Sequence, residues 1–340
     1  MKPNTLYKWV EEVSKQWQGV TDHFQENVAV FSRGVVLSAS SHIKKISGVV
    51  GGNPNSQRRR LQRFLTCKFE SCWFGEWTAT VIEQLPVGED LILIVDETKI
   101  ENRFGAMVVG IAVEQRCIPV AWHIYKANDA SAYPAEGQVE MILGLLRAVQ
   151  AGIPAHYRVR VLADRGIGTS PTLMKGIMQL GWYFLFRVTK QSKIVLSSGE
   201  AVCFYDQVKQ PGDQYAASGL VFKQRGHVPG HVRVLWREGS QEPWALVTND
   251  PTLSGWCYAR RNWIEQAFRD LKSHGWNLQQ VQLQCPQRLQ HLWIVLVVAY
   301  TWMLLMGIQQ ERGQTLALRK RRWSLFRQGR MAFLASMHPT

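Results

Sequence analysis

The hydrophobic pattern changes its period along the chain. From 1 to 85, apolar positions recur at three- and four-residue spacing, through Trp9, Val10, Val13 and Trp17 and again through Leu61, Phe64 and Leu65, so one helix face after another meets a core. The stretch ISGVVGGNPNSQRRRLQRFL predicts a helix, a Gly/Asn/Pro turn and a second helix opening after Ser56, in the outline of a helix-turn-helix. From residue 90 the rhythm is that of strands. LILIVDET (91–98) is a continuous apolar run ending in an acid, as expected of a central strand buried on both faces. GAMVVGIAVEQ (105–115) and RCIPVAWHIYK (116–126) follow with almost no loop, which predicts an antiparallel meander.

Residues 134–152 predict a helix with Val139, Ile142, Leu143, Leu146 and Val149 on one face, and YRVRVLADRG (157–166) a second strand ending in Asp. Residues 170–181 predict a helix capped by Ser170 with Pro171 at its first position, and 182–189 a further strand. Between 190 and 249, short strand-like pieces alternate with SSGE, QPGD, RGHVPGH and EGSQEP, a composition of hairpins. A helix at about 252–275, an apolar helix and a basic tail complete the pattern. The predicted class is α/β. A helical region spans 1–87, a core spans 88–189 and 250–312, a β-rich insertion at 190–249 interrupts it, and a tail follows at 313–340.

Composition narrows the class of protein. With 46% hydrophobic residues, 19% charged residues and 14 Trp in 340, the chain is globular and large enough to bury a core without cross-links. Of six cysteines only Cys67 and Cys72 lie close together, and no finger-spaced pair follows, so reduced thiols are expected rather than structural zinc. Lys8, Glu11, Glu12 and Lys15 interrupt the N-terminus, which predicts no signal peptide and a cytoplasmic protein. Residues 292–308 approach the lower limit of a membrane span, but Gln282, Gln284, Gln287 and Gln290 precede them and the run stands alone; a buried helix is expected.

Charge points to the partner. Lys and Arg total 40 against 26 Asp and Glu, a net of +14 that attracts phosphate or anionic lipid. Residues 251–340 carry 12 basic and 3 acidic side chains, so +9 of the surplus sits there, with Arg319, Lys320, Arg321, Arg322, Arg327 and Arg330 in the tail. That asymmetry favours nucleic acid. Arg58, Arg59, Arg60 and Arg63 fall on a helix suited to a major groove, although a solvated face has the same pattern.

Three acids carry the candidate chemistry. Asp96 and Asp164 each close an apolar run and would lie side by side on neighbouring strands, where two carboxylates repel unless a cation holds them. Hard oxygen donors imply Mg²⁺ or Mn²⁺, whereas a single Asp in this position commonly just caps the next turn. In YARRNWIEQAFRDLK (258–272), ideal helical geometry brings Tyr258, Arg261, Glu265 and Lys272 into one arc with Arg269 beside them. Trp263, Ile264, Ala267, Phe268 and Leu271 take the opposite, core-facing side. A carboxylate among cations suits a metal ligand with phosphate-gripping neighbours.

The spacing of Tyr258, Arg261, Glu265 and Lys272 resembles the Tyr-Arg-Glu-Lys signature of the large insertion-sequence transposase family with a DDE triad and a ribonuclease-H-like core. Asp96 in Asp-Glu-Thr and Asp164 in Asp-Arg-Gly resemble its first two catalytic blocks, though Ile167 follows where an aromatic is common. Over residues 88–312 the resemblance implies cut-and-paste DNA transposition, with a β-rich insert between the second Asp and the Glu. It further implies that Asp96, Asp164 and Glu265 ligate Mg²⁺, with Mn²⁺ as a substitute, while Tyr258, Arg261 and Lys272 grip phosphates of the transposon end. A Trp of the insert, Trp236 or Trp244, would stack on a flipped base. The implied partners are double-stranded DNA at ends and target and a second copy of the chain in the synaptic complex. A DNA-binding relative without turnover and a nuclease that cuts without joining share these residues.

Overall fold

The computed structural model describes residues 5–68, 71–85, 88–129, 137–222, 226–312 and 323–337. Five helices open the chain: α1 Thr5–Ser14, α2 Asp22–Ser38, α3 Ile43–Val49, α4 Pro54–Phe64 and α5 Trp73–Gln84. The α3–α4 turn is the expected one, but α4 begins before Ser56. Asn53 accepts hydrogen bonds from the Asn55 and Ser56 amides (2.9 and 3.2 Å), and Pro54 supplies a helical φ at the first position.

A ten-stranded mixed sheet follows in the order β3-β2-β1-β4-β5-β10-β9-β8-β6-β7. β1 (Asp90–Ile100), β2 (Phe104–Val113) and β3 (Arg116–Lys126) form the antiparallel meander, and β4 (Arg158–Ala163) and β5 (Tyr183–Arg187) extend it in parallel from β1. Helix α6 (Gly137–Gln150) connects β3 to β4, and α7 (Arg165–Gly168) and α8 (Pro171–Gln179) connect β4 to β5. The insertion contributes β6 (Lys193–Val195), β7 (Ala201–Cys203), β8 (Gln214–Val221), β9 (Val228–Leu235) and β10 (Trp244–Thr248). Because β10 pairs antiparallel with β5, the insertion continues the central sheet.

The helices pack on this sheet through large aromatic side chains. Trp73 and Trp77 of α5 stack at 5.5 Å and Trp17 meets both edge-on; the indole of Trp77 donates to the Pro119 carbonyl of β3 (3.0 Å). The apolar run lies within α10 (Pro286–Arg312), whose residues 291–304 are all buried. Trp293 stacks on Trp122 of β3 at 6.1 Å, and the Val295 carbonyl accepts from Ser32 of α2 (3.1 Å). Protein on every side explains a helix apolar on every side.

Part of the stretch expected as a basic tail is a packed helix, α11 (Leu325–Met337), with Leu325, Phe326 and Phe333 buried. It crosses α10 where a Cβ on Gly307 or Gly329 would fall 2.0 or 1.8 Å from a main-chain oxygen, so only glycine permits the approach. Arg319, Lys320, Arg321 and Arg322 lie outside the described residues.

Candidate active site

β1 and β4 are parallel neighbours, in register up to Val95 opposite Ala163, so Asp96 and Asp164 emerge together where the two strands part. Asp96 does not end its strand: β1 runs on to Ile100, paired with β2. The acid marks the end of the parallel pairing, and period-two alternation puts Thr98 on the face of Asp96. Asp164 serves two purposes. Its Oδ1 caps α7, accepting from the Gly166 and Ile167 amides (3.0 and 3.1 Å), while Oδ2 faces inward at 3.6 Å from Arg261.

The expected helix over 252–275 is a composite. A 3₁₀ segment (Gly255–Asn262) overwinds, α9 (Trp263–Arg269) is regular, and a π turn (Asp270–His274) underwinds. Tyr258 lies in the overwound segment, with Arg261 and Arg187 among its charged neighbours. Its ring is buried and edge-on to Trp244 at 5.2 Å, and that burial pushes its hydroxyl pKa up. Arg261, Glu265 and Lys272 still face the strands. Lys272 donates to the Thr98 hydroxyl, and burial lowers its pKa.

Arg261 is the centre of the site. Its Nη2 lies 2.9 Å from Asp96 Oδ1 and 3.6 Å from Asp164 Oδ2, and its Nη1 pairs with Glu265 one turn on. Three acids from β1, the β4 end and α9 thus share one guanidinium. Burial pushes Asp96 up to about 6 against the pull of Arg261, with Asp164 and Glu265 adding repulsion. Among the described residues, no three acid, His or Cys side chains are gathered closely enough to form a ready-made metal centre. The donor set nevertheless fits a hard divalent ion: three carboxylates, one cation already among them, and an uncompensated surplus of negative charge.

The other predicted residues separate. Arg269 is exposed on α9. On α4, Arg58, Arg59 and Arg63 are exposed, whereas Arg60 turns inward to Glu26 (2.9 Å) and Asn27 (2.7 Å), because it borders the face that buries Leu61 and Phe64. Trp236 is half-buried, and its indole donates to the Ser240 carbonyl within its own turn (3.0 Å). Trp244 packs against Tyr258, with the exposed Trp256 edge-on at 6.3 Å.

Sequence reasoning passed over Thr98 and Arg187. Strand alternation from Asp96 identifies the first, and a cation ending the strand beside the second acid signals the other, since Phe186 of β5 pairs with Ala163. Residues 88–302 match the family model described as the transposase DDE domain, a span that contains all three acids. No curated protein matches the chain. With well over half of its length covered, from the start of β1 into α10, the chain belongs to the transposase DDE domain family.

Proposed function

We propose that the protein is an insertion-sequence transposase of the Tyr-Arg-Glu-Lys class, which binds the duplex ends of its element, cleaves them and joins them to target DNA. The observation that carries this reading is the convergence of Asp96, Asp164 and Glu265 on one guanidinium at the point where β1 and β4 part. The family acts on DNA and generally uses divalent metal ions. Here Asp96, Asp164 and Glu265 would hold Mg²⁺, or Mn²⁺ in its place. When bound, such ions activate water or a 3′-hydroxyl and stabilise the leaving oxygen of an in-line phosphodiester displacement.

The chain's own cations position the DNA. Arg261 exchanges its carboxylate partners for a phosphate of the transposon end, and its planar fork suits two phosphate oxygens at once. Lys272, held at Thr98, supplies a second charge on the same side, and Arg269 a third at the exposed edge. Arg58, Arg59 and Arg63 on α4 offer a separate contact with the duplex. Trp236 or Trp244 provides the aromatic face for a displaced base. Two copies acting on two ends, in the cytoplasm, complete the proposal.

The test uses a supercoiled plasmid carrying the gene with its flanks, purified protein and Mg²⁺ or Mn²⁺, with Glu265→Gln in parallel. Paired cuts flanking the gene and joining to new DNA, seen only with wild-type protein and metal, are expected. Cutting without joining would replace the proposal with a nuclease, and binding without cutting in either protein with a DNA-binding relative.

A further inference from the structure

Beside the three acids lies a second ion cluster of opposite composition. Glu242, in the turn between β9 and β10, accepts from Arg187 at the end of β5, lies 3.1 Å from Lys190 Nζ and 3.5 Å from Arg165 Nη1. Three cations surround one carboxylate, leaving two positive charges uncompensated within the cluster. Its place in the fold is specific. Arg165 directly follows Asp164, and Arg187 follows Phe186, which pairs with Ala163, so two of the three cations stand immediately beside the second acid. None is deeply inaccessible, with side chains 42%, 19% and 53% exposed for Arg165, Arg187 and Lys190. The Nε of Arg187 is buried without a hydrogen-bond partner, so Glu242 does not exhaust the donors gathered here. The same turn separates Trp236 from Trp244.

A carboxylate and a phosphodiester present the same features to guanidinium and ammonium groups: negative charge and paired acceptor oxygens. We propose that Arg165, Arg187 and Lys190 form a phosphate subsite for the DNA strand led to the acids, and that Glu242 occupies it in the free protein as an internal stand-in for a phosphate. DNA binding displaces Glu242 and releases the β9–β10 turn from the central strands. No bond is made or broken; one anion replaces another. The inference rests on the transposase reading and adds to it a subsite and a competitor within the chain.

Glu242→Gln tests the competition. Binding of a short fluorescein-labelled DNA duplex is followed by anisotropy in EDTA over a range of KCl concentrations, with circular dichroism melting to establish folding. The variant is expected to bind roughly 3- to 10-fold tighter than wild type, with a salt dependence steeper by about one in the slope of log K against log[salt]. Lys190→Gln, at an exposed position, is expected to bind roughly 3- to 10-fold more weakly with a shallower slope. If wild type binds and folded Glu242→Gln binds no tighter, Glu242 only pins the insertion to the core and the inference fails while the transposase reading stands. Should Glu242→Gln not fold, unchanged affinity in Lys190→Gln overturns the inference. Absence of salt-dependent binding by wild type removes both readings.

Discussion

Two ion clusters meet at the end of β4, one including Asp164 and the other Arg165, each arranged about one central residue, and their charges are inverted. Around Arg261, three acids share one cation; around Glu242, three cations share one acid. The surrounding chemistry treats the two sets of acids differently. Burial pushes Asp96 up to about 6, so its charge is held at a cost, whereas the hydrogen bond from Lys190, with Arg187 and Arg165, keeps Glu242 below the ordinary carboxylate range. One cluster has negative charge to give to a cation and the other positive charge to give to an anion. A phosphodiester held at a divalent ion requires both.

The comparison breaks most sharply at the acids. Asp164→Asn should reduce metal-dependent DNA cleavage on the order of 10³-fold or more, roughly 4 kcal/mol of barrier. Because Asn caps helices as well as Asp, the loss should come without a change in melting temperature; Asp164→Ala should add about 1 kcal/mol of destabilisation from the lost cap on α7. Plasmid nicking and thermal melting read the two effects separately.

Next in size is the pH response. Asp96 and Asp270 are both pushed up by burial to about 6 from 3.8, Asp270 against the pull of Arg116 and His274. Between those values the native state retains protons that the unfolded chain has released, so each group withdraws stability as pH rises, on the order of 2–3 kcal/mol when complete. Urea unfolding of metal-free protein should therefore show Asp96→Asn gaining on wild type between about pH 4 and about pH 7, even though the variant is inactive. A constant difference across that range would mean that Asp96 is not burdened by its charge.

Arg261→Gln removes the cation the acids share. It should destabilise metal-free protein by about 2 kcal/mol, less than a fully buried pair would lose, since Asp164 and Glu265 are 38% and 43% exposed. Millimolar MgCl₂ should raise the melting temperature of the variant more than that of wild type. The smallest expected effect is on the opposite cluster: Glu242→Gln should shift stability by less than about 1 kcal/mol, because two of its three partners, Arg165 and Lys190, are about half exposed and only Arg187 is mostly buried. A large loss there would make the Glu242 cluster a structural clasp rather than the counterpart of the acid cluster.

Much of this architecture was legible from pattern. The apolar run at 91–95 predicted a doubly buried strand and β1 is one; the Ser170-Pro171 pair predicted the start of α8, and the turn-rich insertion predicted hairpins. The acids were legible because a carboxylate at the close of an apolar run is conspicuous. The helix around Glu265 is less so, since 3₁₀ and π segments interrupt its regular winding; the buried Tyr258 ring packs on Trp244 while its hydroxyl keeps Arg261 and Arg187 as electrostatic neighbours. Arg60 has the same charge and helix as Arg58, Arg59 and Arg63, but its side chain is engaged by Glu26 and Asn27, a pairing that neighbours in sequence do not reveal.

What the chain order alone determined is local: element type, caps, alternation along strands, and the supply of acids and cations with their spacing. These depend on backbone preferences and on side chains a few residues apart. Tertiary structure decided which charges meet. Glu242 is 77 residues from Arg165 and 55 from Arg187, and Arg261 is 165 from Asp96; these partners are joined only because β10 docks on β5 and the 3₁₀ segment and α9 lie against β4 and β1. Sequence supplies no distance between such groups, and the energy of an ion pair depends on distance and burial, so the division of the site into two opposed clusters exists only in the folded chain.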